Sequence, residues 1–176
     1  MLLPRLITVG FALPAAAQLS PLTTPFLNLT AVTAAHGEST LECWRLANPF
    51  KQTTEAGISG SLQLSLGELA NGSYSVIPAR FDGGFHHAPA FQYVLFISGL
   101  AHISLYKGRD EAWIQGGKYG LLIAADTADL TEHGHLTRYP SAADTVSVTF
   151  QIKDRQSFKY SLLHQGPCTQ DEMVGI

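Results

Sequence analysis

From residue 41 to residue 164 the apolar side chains recur with a period of two, and no useful stretch holds the 3.6-residue period of a helix. That pattern restricts the chain to packed strands. The run 61–66, Ser-Leu-Gln-Leu-Ser-Leu, alternates strictly, as a strand with one buried face does. Asn71-Gly72 is a strong two-residue turn signal and predicts a hairpin leading into a strand at 73–77; Asp82-Gly83-Gly84 predicts a further break. Strands are also expected at 41–46, 91–97, 100–106, 111–114, 120–125, 145–152 and 158–164. Residues 18–40 have no sustained period and read as a lead-in arm, 126–140 as the longest irregular stretch, and 169–176 as a tail. Short strands with a turn signal roughly every ten residues predict one all-β domain over 41–168, a jelly-roll sandwich or small barrel.

The start of the chain predicts where that domain is made. Arg5, an apolar stretch at 6–13 and the small residues Ala15, Ala16 and Ala17 have the order of a secretory signal peptide, with cleavage before Gln18. The stretch is far shorter than the ~20 residues that span a bilayer, so removal is expected and membrane anchoring is not. Asn28-Leu29-Thr30 and Asn71-Gly72-Ser73 are N-glycosylation acceptors. The two cysteines, Cys43 and Cys168, are expected to pair in an oxidising lumen, the alternative being two separate buried thiols. Localisation in the secretory pathway or outside the cell follows. Charged residues make up 14% of the chain, the net charge is -3 and no basic run exists, so nucleic acid is not an expected partner. The oligomeric state stays open, a homodimer included.

The densest chemistry lies in Arg80-Phe-Asp-Gly-Gly-Phe-His-His-Ala-Pro-Ala-Phe-Gln92. His87 to Gln92 is five residues and Gln92 to Gly99 is seven. This spacing resembles the first motif of the cupins, with Phe85 in place of one histidine and Gln92 in place of the acid. The resemblance spans about residues 60–150 and implies a cupin-like β-barrel. The departures bear on metal binding. His86 and His87 are adjacent, so on one strand they point to opposite faces, and neutral Gln92 cannot offset a dication. A divalent metal site could still be built from one of the pair with His102, His133 or His135. A cofactor-free protein is the expectation. Asp126, Asp129 and Glu132 match no calcium-loop spacing and read as a solvated loop.

The phrases Arg80-Phe-Asp-Gly-Gly, Ser98-Gly-Leu-Ala-His102, Ala124-Ala-Asp-Thr-Ala-Asp and Gly134-His135 also resemble small secreted cupin-like proteins of filamentous fungi. The hetero-Diels–Alderases of tropolone–sesquiterpenoid pathways look similar. That resemblance implies a cofactor-independent cyclisation of a small hydrophobic metabolite, reached through dehydration to a quinone methide. Such a step needs a dry cavity that holds the reactants in a reactive pose and donors that polarise an oxygen or assist a leaving hydroxyl. His86, Gln92, His102 and His135 are the candidate catalytic donors, and Phe85, His87, Tyr93, Phe96 and Trp113, with Phe91, the candidate substrate-binding residues. Two rival readings are a metal-dependent cupin oxygenase or isomerase and a secreted binding or effector protein. No Gly-x-Ser-x-Gly elbow and no phosphate-binding loop is present.

Overall fold

The computed structural model describes residues 25–173; the expected signal peptide lies outside them. Thirteen strands and one short helix follow in order. They are β1 (Phe26–Ala35), β2 (Glu38–Pro49), β3 (Lys51–Gln52), β4 (Leu62–Gln63), β5 (Leu69–Ile77), β6 (Phe81–His86) and β7 (Gln92–Ser98). Then come β8 (Leu100–Leu105), β9 (Glu111–Gln115), β10 (Leu121–Ala124), β11 (His135–Tyr139), β12 (Thr145–Ile152), β13 (Tyr160–Gln165) and α1 (Gln170–Met173). A seven-stranded sheet runs β13-β2-β1-β10-β7-β12-β5 and a four-stranded sheet β6-β11-β8-β9, with β3 and β4 as a small separate pair. The all-β expectation is met in its sandwich form. Among the described residues no strand pairing closes the two main sheets into a barrel.

The main core lies between the sheets. Val32, Leu41, Phe96, Leu122 and Ala124 of the large sheet meet Ala101, Ile103, Ala112 and Ile114 of the small one. A second core covers the other face of the large sheet, where Leu29, Trp44, Tyr93 and Ile123 pack under Leu64, Leu66 and Phe158. Each buried Val, Leu, Ile or Phe side chain among these contributes about 1.5–3 kcal/mol.

This double covering corrects the reading of residues 18–40 as an arm over its described part, from residue 26 on. β1 sits between β2 and β10, with Leu29 and Ala31 in one core and Val32 in the other. A strand buried on both faces shows no alternation, which hid it. The two-residue His36-Gly37 turn, with φ of 54° and 81°, then returns the chain into β2.

Five further expectations are corrected. Asn71-Gly72 is not a turn: it lies inside β5, where Gly72 pairs with Phe150, and an added Cβ would stand 3.3 Å from the Thr149 carbonyl oxygen. Asp82-Gly83-Gly84 does not break the chain but forms part of β6, opposite the register shift between Leu136 and Arg138. The stretch 61–66 is a strand only at Leu62–Gln63; beyond it Leu64 and Leu66 turn onto the second core. The stretch 126–140 contains β11, and the expected tail contains α1, whose Met173 is buried beside the Cys43–Cys168 disulfide. That pairing of the two cysteines is as expected.

Candidate functional site

A cavity of about 220 Å³ lies between the sheets. β6 presents His86 to it, β11 presents His135 and Tyr139, and β7 presents Gln92 and Phe96. Ser75, Ser147 and Thr149 of the large sheet and Thr137 of the small one add hydroxyl-bearing side chains to the lining. A cavity of about 150 Å³ holds a benzene ring, so this one encloses a ring-sized group and leaves a larger ligand to extend through the opening.

The two imidazoles meet because His135 is directly opposite His86 in the antiparallel β6–β11 pair. Their ring centroids are 4.4 Å apart at 57°. Gly134 makes this approach possible: its φ is 70°, and an added Cβ would clash with the His86 carbonyl oxygen. Behind His135, its Nδ1 is 2.7 Å from Asp126 Oδ2, which also accepts a hydrogen bond from Ser39 Oγ at 2.7 Å. Asp126 is fully buried, which corrects its reading as part of a solvated loop; Asp129 and Glu132 are exposed as expected.

These partners fix the tautomers. His86 Nδ1 lies 3.0 Å from the Gly84 carbonyl, which can only accept, so Nδ1 carries the proton and Nε2 keeps a lone pair. His135 donates from Nδ1 to the Asp126 carboxylate, and its Nε2 is likewise left for a ligand. Loss of hydration holds the His86 pKa below the ordinary imidazole value, even though the residue is open to solvent at the lip. Its hydrogen bond to Gly84 opposes that shift, and the neighbouring His135 reinforces it. Burial raises the Tyr139 pKa and keeps the phenol protonated, a donor in the cavity lining. Gln92 is 6% exposed and hydrogen-bonds to no other side chain among the described residues, so its carboxamide is free for a ligand.

Of the expected site residues, His86, Gln92, His135 and Phe96 come together; the others do not. His102 lies on the outer face of the small sheet, stacked on Trp113 at 4.0 Å with Nε2 2.8 Å from Glu111. The period of two explains this, since buried Ile103 next to it takes the inner face. Trp113, paired with His102, is therefore a surface residue and 52% exposed. Phe85 is also outside, edge-on to Tyr106. His87 turns away from His86, as adjacency requires, with Nε2 3.0 Å from the Thr131 carbonyl. Tyr93 and Phe91 belong to the second core, where Tyr93 donates to the Leu66 carbonyl and borders a separate cavity of about 160 Å³. Asp126, Ser39 and Tyr139 were not anticipated. One signal for Asp126 was available: it follows directly on the apolar run 121–125.

No protein-family model and no curated protein matches this chain.

The nitrogen-bearing side chains of the cavity lining are two imidazoles and a carboxamide. Side chains that could converge on a metal, Cys43, His164 and Glu172 in one group and Glu38, Glu132 and His133 in another, are not among those lining the cavity. His133 instead stacks on Tyr106, outside the cavity lining. Cys43 is committed to its disulfide. Three protein ligands are usual for catalytic zinc, and the cavity supplies two imidazoles.

Proposed function

We propose that this chain is a secretory-pathway enzyme that closes a ring in a small hydrophobic metabolite without a cofactor, by dehydration followed by a hetero-Diels–Alder step. The observation that carries this reading is the buried Ser39–Asp126–His135 chain ending beside His86 at a mostly apolar cavity. Positive charge arriving on His135 is offset by the Asp126 carboxylate, which suits His135 to protonate a departing hydroxyl. Neutral His86 takes a proton from the substrate's phenolic or enolic oxygen. Water leaves and a heterodiene remains. Addition of an alkene then forms one C–O and one C–C bond as two π bonds are consumed, while Gln92 and Tyr139 hydrogen-bond the oxygen. The two imidazoles are close enough for the proton to pass from His86 to His135 before it reaches the departing hydroxyl, so both rings begin and end neutral. Signal cleavage at Gln18 and the fungal cupin-like affinity of the motifs belong to this same proposal.

The test uses purified mature protein, an ortho-hydroxybenzyl alcohol and a trisubstituted alkene. Ring closure faster than in buffer, with one enantiomer in excess, unchanged by chelator and lost in His135→Ala, is the expected result. A rate equal to buffer would overturn the reading.

A second reading, a metal-dependent cupin, has one observation in its favour. Both imidazoles hold Nδ1 on a carboxylate or carbonyl, as metal-ligating histidines do. Activity lost on chelation and restored by one divalent metal would select it.

A further inference from the structure

We propose that Asn71 carries an N-glycan that keeps the free edge of the seven-stranded sheet from pairing with a second copy of the chain. The inference rests on the proposed passage through the secretory pathway and concerns a different part of the molecule from the cavity.

β5 is the last strand of its sheet. One side pairs with β12 from Leu69 to Ile77, and among the described residues no strand pairs with the other. Its sequence, Leu-Ala-Asn-Gly-Ser-Tyr-Ser-Val-Ile, has no charged residue and no proline. Tyr74 and Val76, 67% and 58% exposed, stand on the face away from the cavity, which Ser75 and Ile77 line. Natural sheet edges are blunted by charge, proline, a bulge or a covering segment. The other edges of the two main sheets follow that rule in part: β6 carries Asp82, β9 carries Glu111, and β13 carries His164 bonded to Glu172. The register shift near Ile152 disturbs β5 only at its start. Residues 72–77 therefore offer an extended, uncharged, half-apolar edge. Antiparallel pairing of this strand with its own copy is self-complementary, the geometry of a two-fold dimer.

The acceptor tripeptide lies within this strand. Asn71 is exposed, and its Nδ2 has one long contact, 3.5 Å to Gln151 Oε1, that a glycan can displace. The other acceptor is closed: Asn28 is 7% exposed and its Nδ2 donates to the Glu172 carbonyl at 2.6 Å. A bulky hydrated sugar at Asn71 supplies what the edge lacks in charge.

The full chain is produced in a glycosylating secretory host, with intact-mass and glycopeptide analysis and light-scattering chromatography of wild type, Asn71→Gln and Asn71→Gln/Val76→Lys. Wild type is expected cleaved before Gln18, glycosylated at Asn71 and monomeric. Asn71→Gln is expected at twice the monomer mass or more, and the added lysine returns it to monomer. Secreted protein that is bare at Asn71, or Asn71→Gln that stays monomeric at the same concentration, overturns the edge guard alone. Retention in the cytosol with Met1 uncleaved overturns the secretory reading and the guard together. Should Asn71→Gln fail to fold, Ser73→Ala removes the same acceptor with a smaller change and is read by the same criteria.

Discussion

Asp126 Oδ2 takes two hydrogen bonds at 2.7 Å, one from His135 Nδ1 and one from Ser39 Oγ, while Asp126 Oδ1 is buried with no partner among the described residues. The carboxylate therefore organises two other buried groups through one oxygen. Asp126→Ala leaves a buried N–H and a buried hydroxyl without an acceptor, a loss of about 2–6 kcal/mol for the two unsatisfied groups. Asp126→Asn keeps the volume and one acceptor oxygen, so a loss of about 1–2 kcal/mol is expected. Denaturant unfolding of the two variants reads the difference. Equal losses would mean that the side chain only fills space.

His86 gives a pH dependence with a defined sign. Its pKa in the folded protein lies below the ordinary value of 6.5, chiefly because burial disfavours the charged ring. The unfolded chain therefore takes up this proton first as pH falls. Stability from this group is full above about pH 6.5 and declines as pH drops toward the folded value. His86→Gln flattens that part of the curve, read as unfolding midpoints at about pH 7.5 and about pH 5. In the proposed reaction the rate also falls on the acid side, with a midpoint below 6.5.

How much of this could be read from the sequence depends on burial on one face or two. β12 (Thr145–Ile152) shows one edge of the period-two pattern and was located to the residue. β1, buried on both faces, carried no period and read as an arm. The face of each histidine followed the same logic. His86 against His87 could be settled by adjacency, whereas His102 required knowing that Ile103 points inward. Asp126 could not be found from composition, since acids in polar loops are usually solvated and its burial depends on a histidine nine residues on and a serine from β2.

Gly134 separates packing from chemistry at the cavity. With φ at 70° and the His86 carbonyl against its Cα, Gly134→Ala forces β6 and β11 apart where the two imidazoles meet. A loss of about 2 kcal/mol or more is expected from strain and displaced backbone. The nearby Gly84→Ala also has a positive φ but open space around it, so only the conformational cost, about 1 kcal/mol, applies. Thermal unfolding of both variants checks the order.

The Cys43–Cys168 disulfide joins β2 to the segment before α1 across 125 residues of sequence. In the chain-entropy description a loop of that length is worth about 4–5 kcal/mol. Replacing both cysteines with serine is expected to lower the unfolding midpoint while leaving the cavity intact. Unchanged stability on reduction would show that α1 and the contacts of Met173 hold the C-terminal segment by themselves.

The acceptor tripeptide at Asn28 has a structural reason for both of its polar residues. Asn28 donates to the Glu172 carbonyl at 2.6 Å and accepts from Arg45 Nε at 3.1 Å. Thr30, fully buried, accepts the Cys168 backbone N–H at 3.1 Å through Oγ1. Together they fasten the C-terminal segment to β1. A sugar on Asn28 Nδ2 would take the place of the Glu172 contact, so the folded protein is expected to be bare there. Asn28→Ala and Thr30→Ala should each cost about 1–3 kcal/mol without changing the glycan mass. Thr30→Ser keeps both the tripeptide and the hydroxyl, so it should cost less and still leave Asn28 bare. Glycopeptide mapping beside unfolding curves tests the two halves separately. A glycan found on Asn28 of correctly folded protein would require α1 to sit elsewhere.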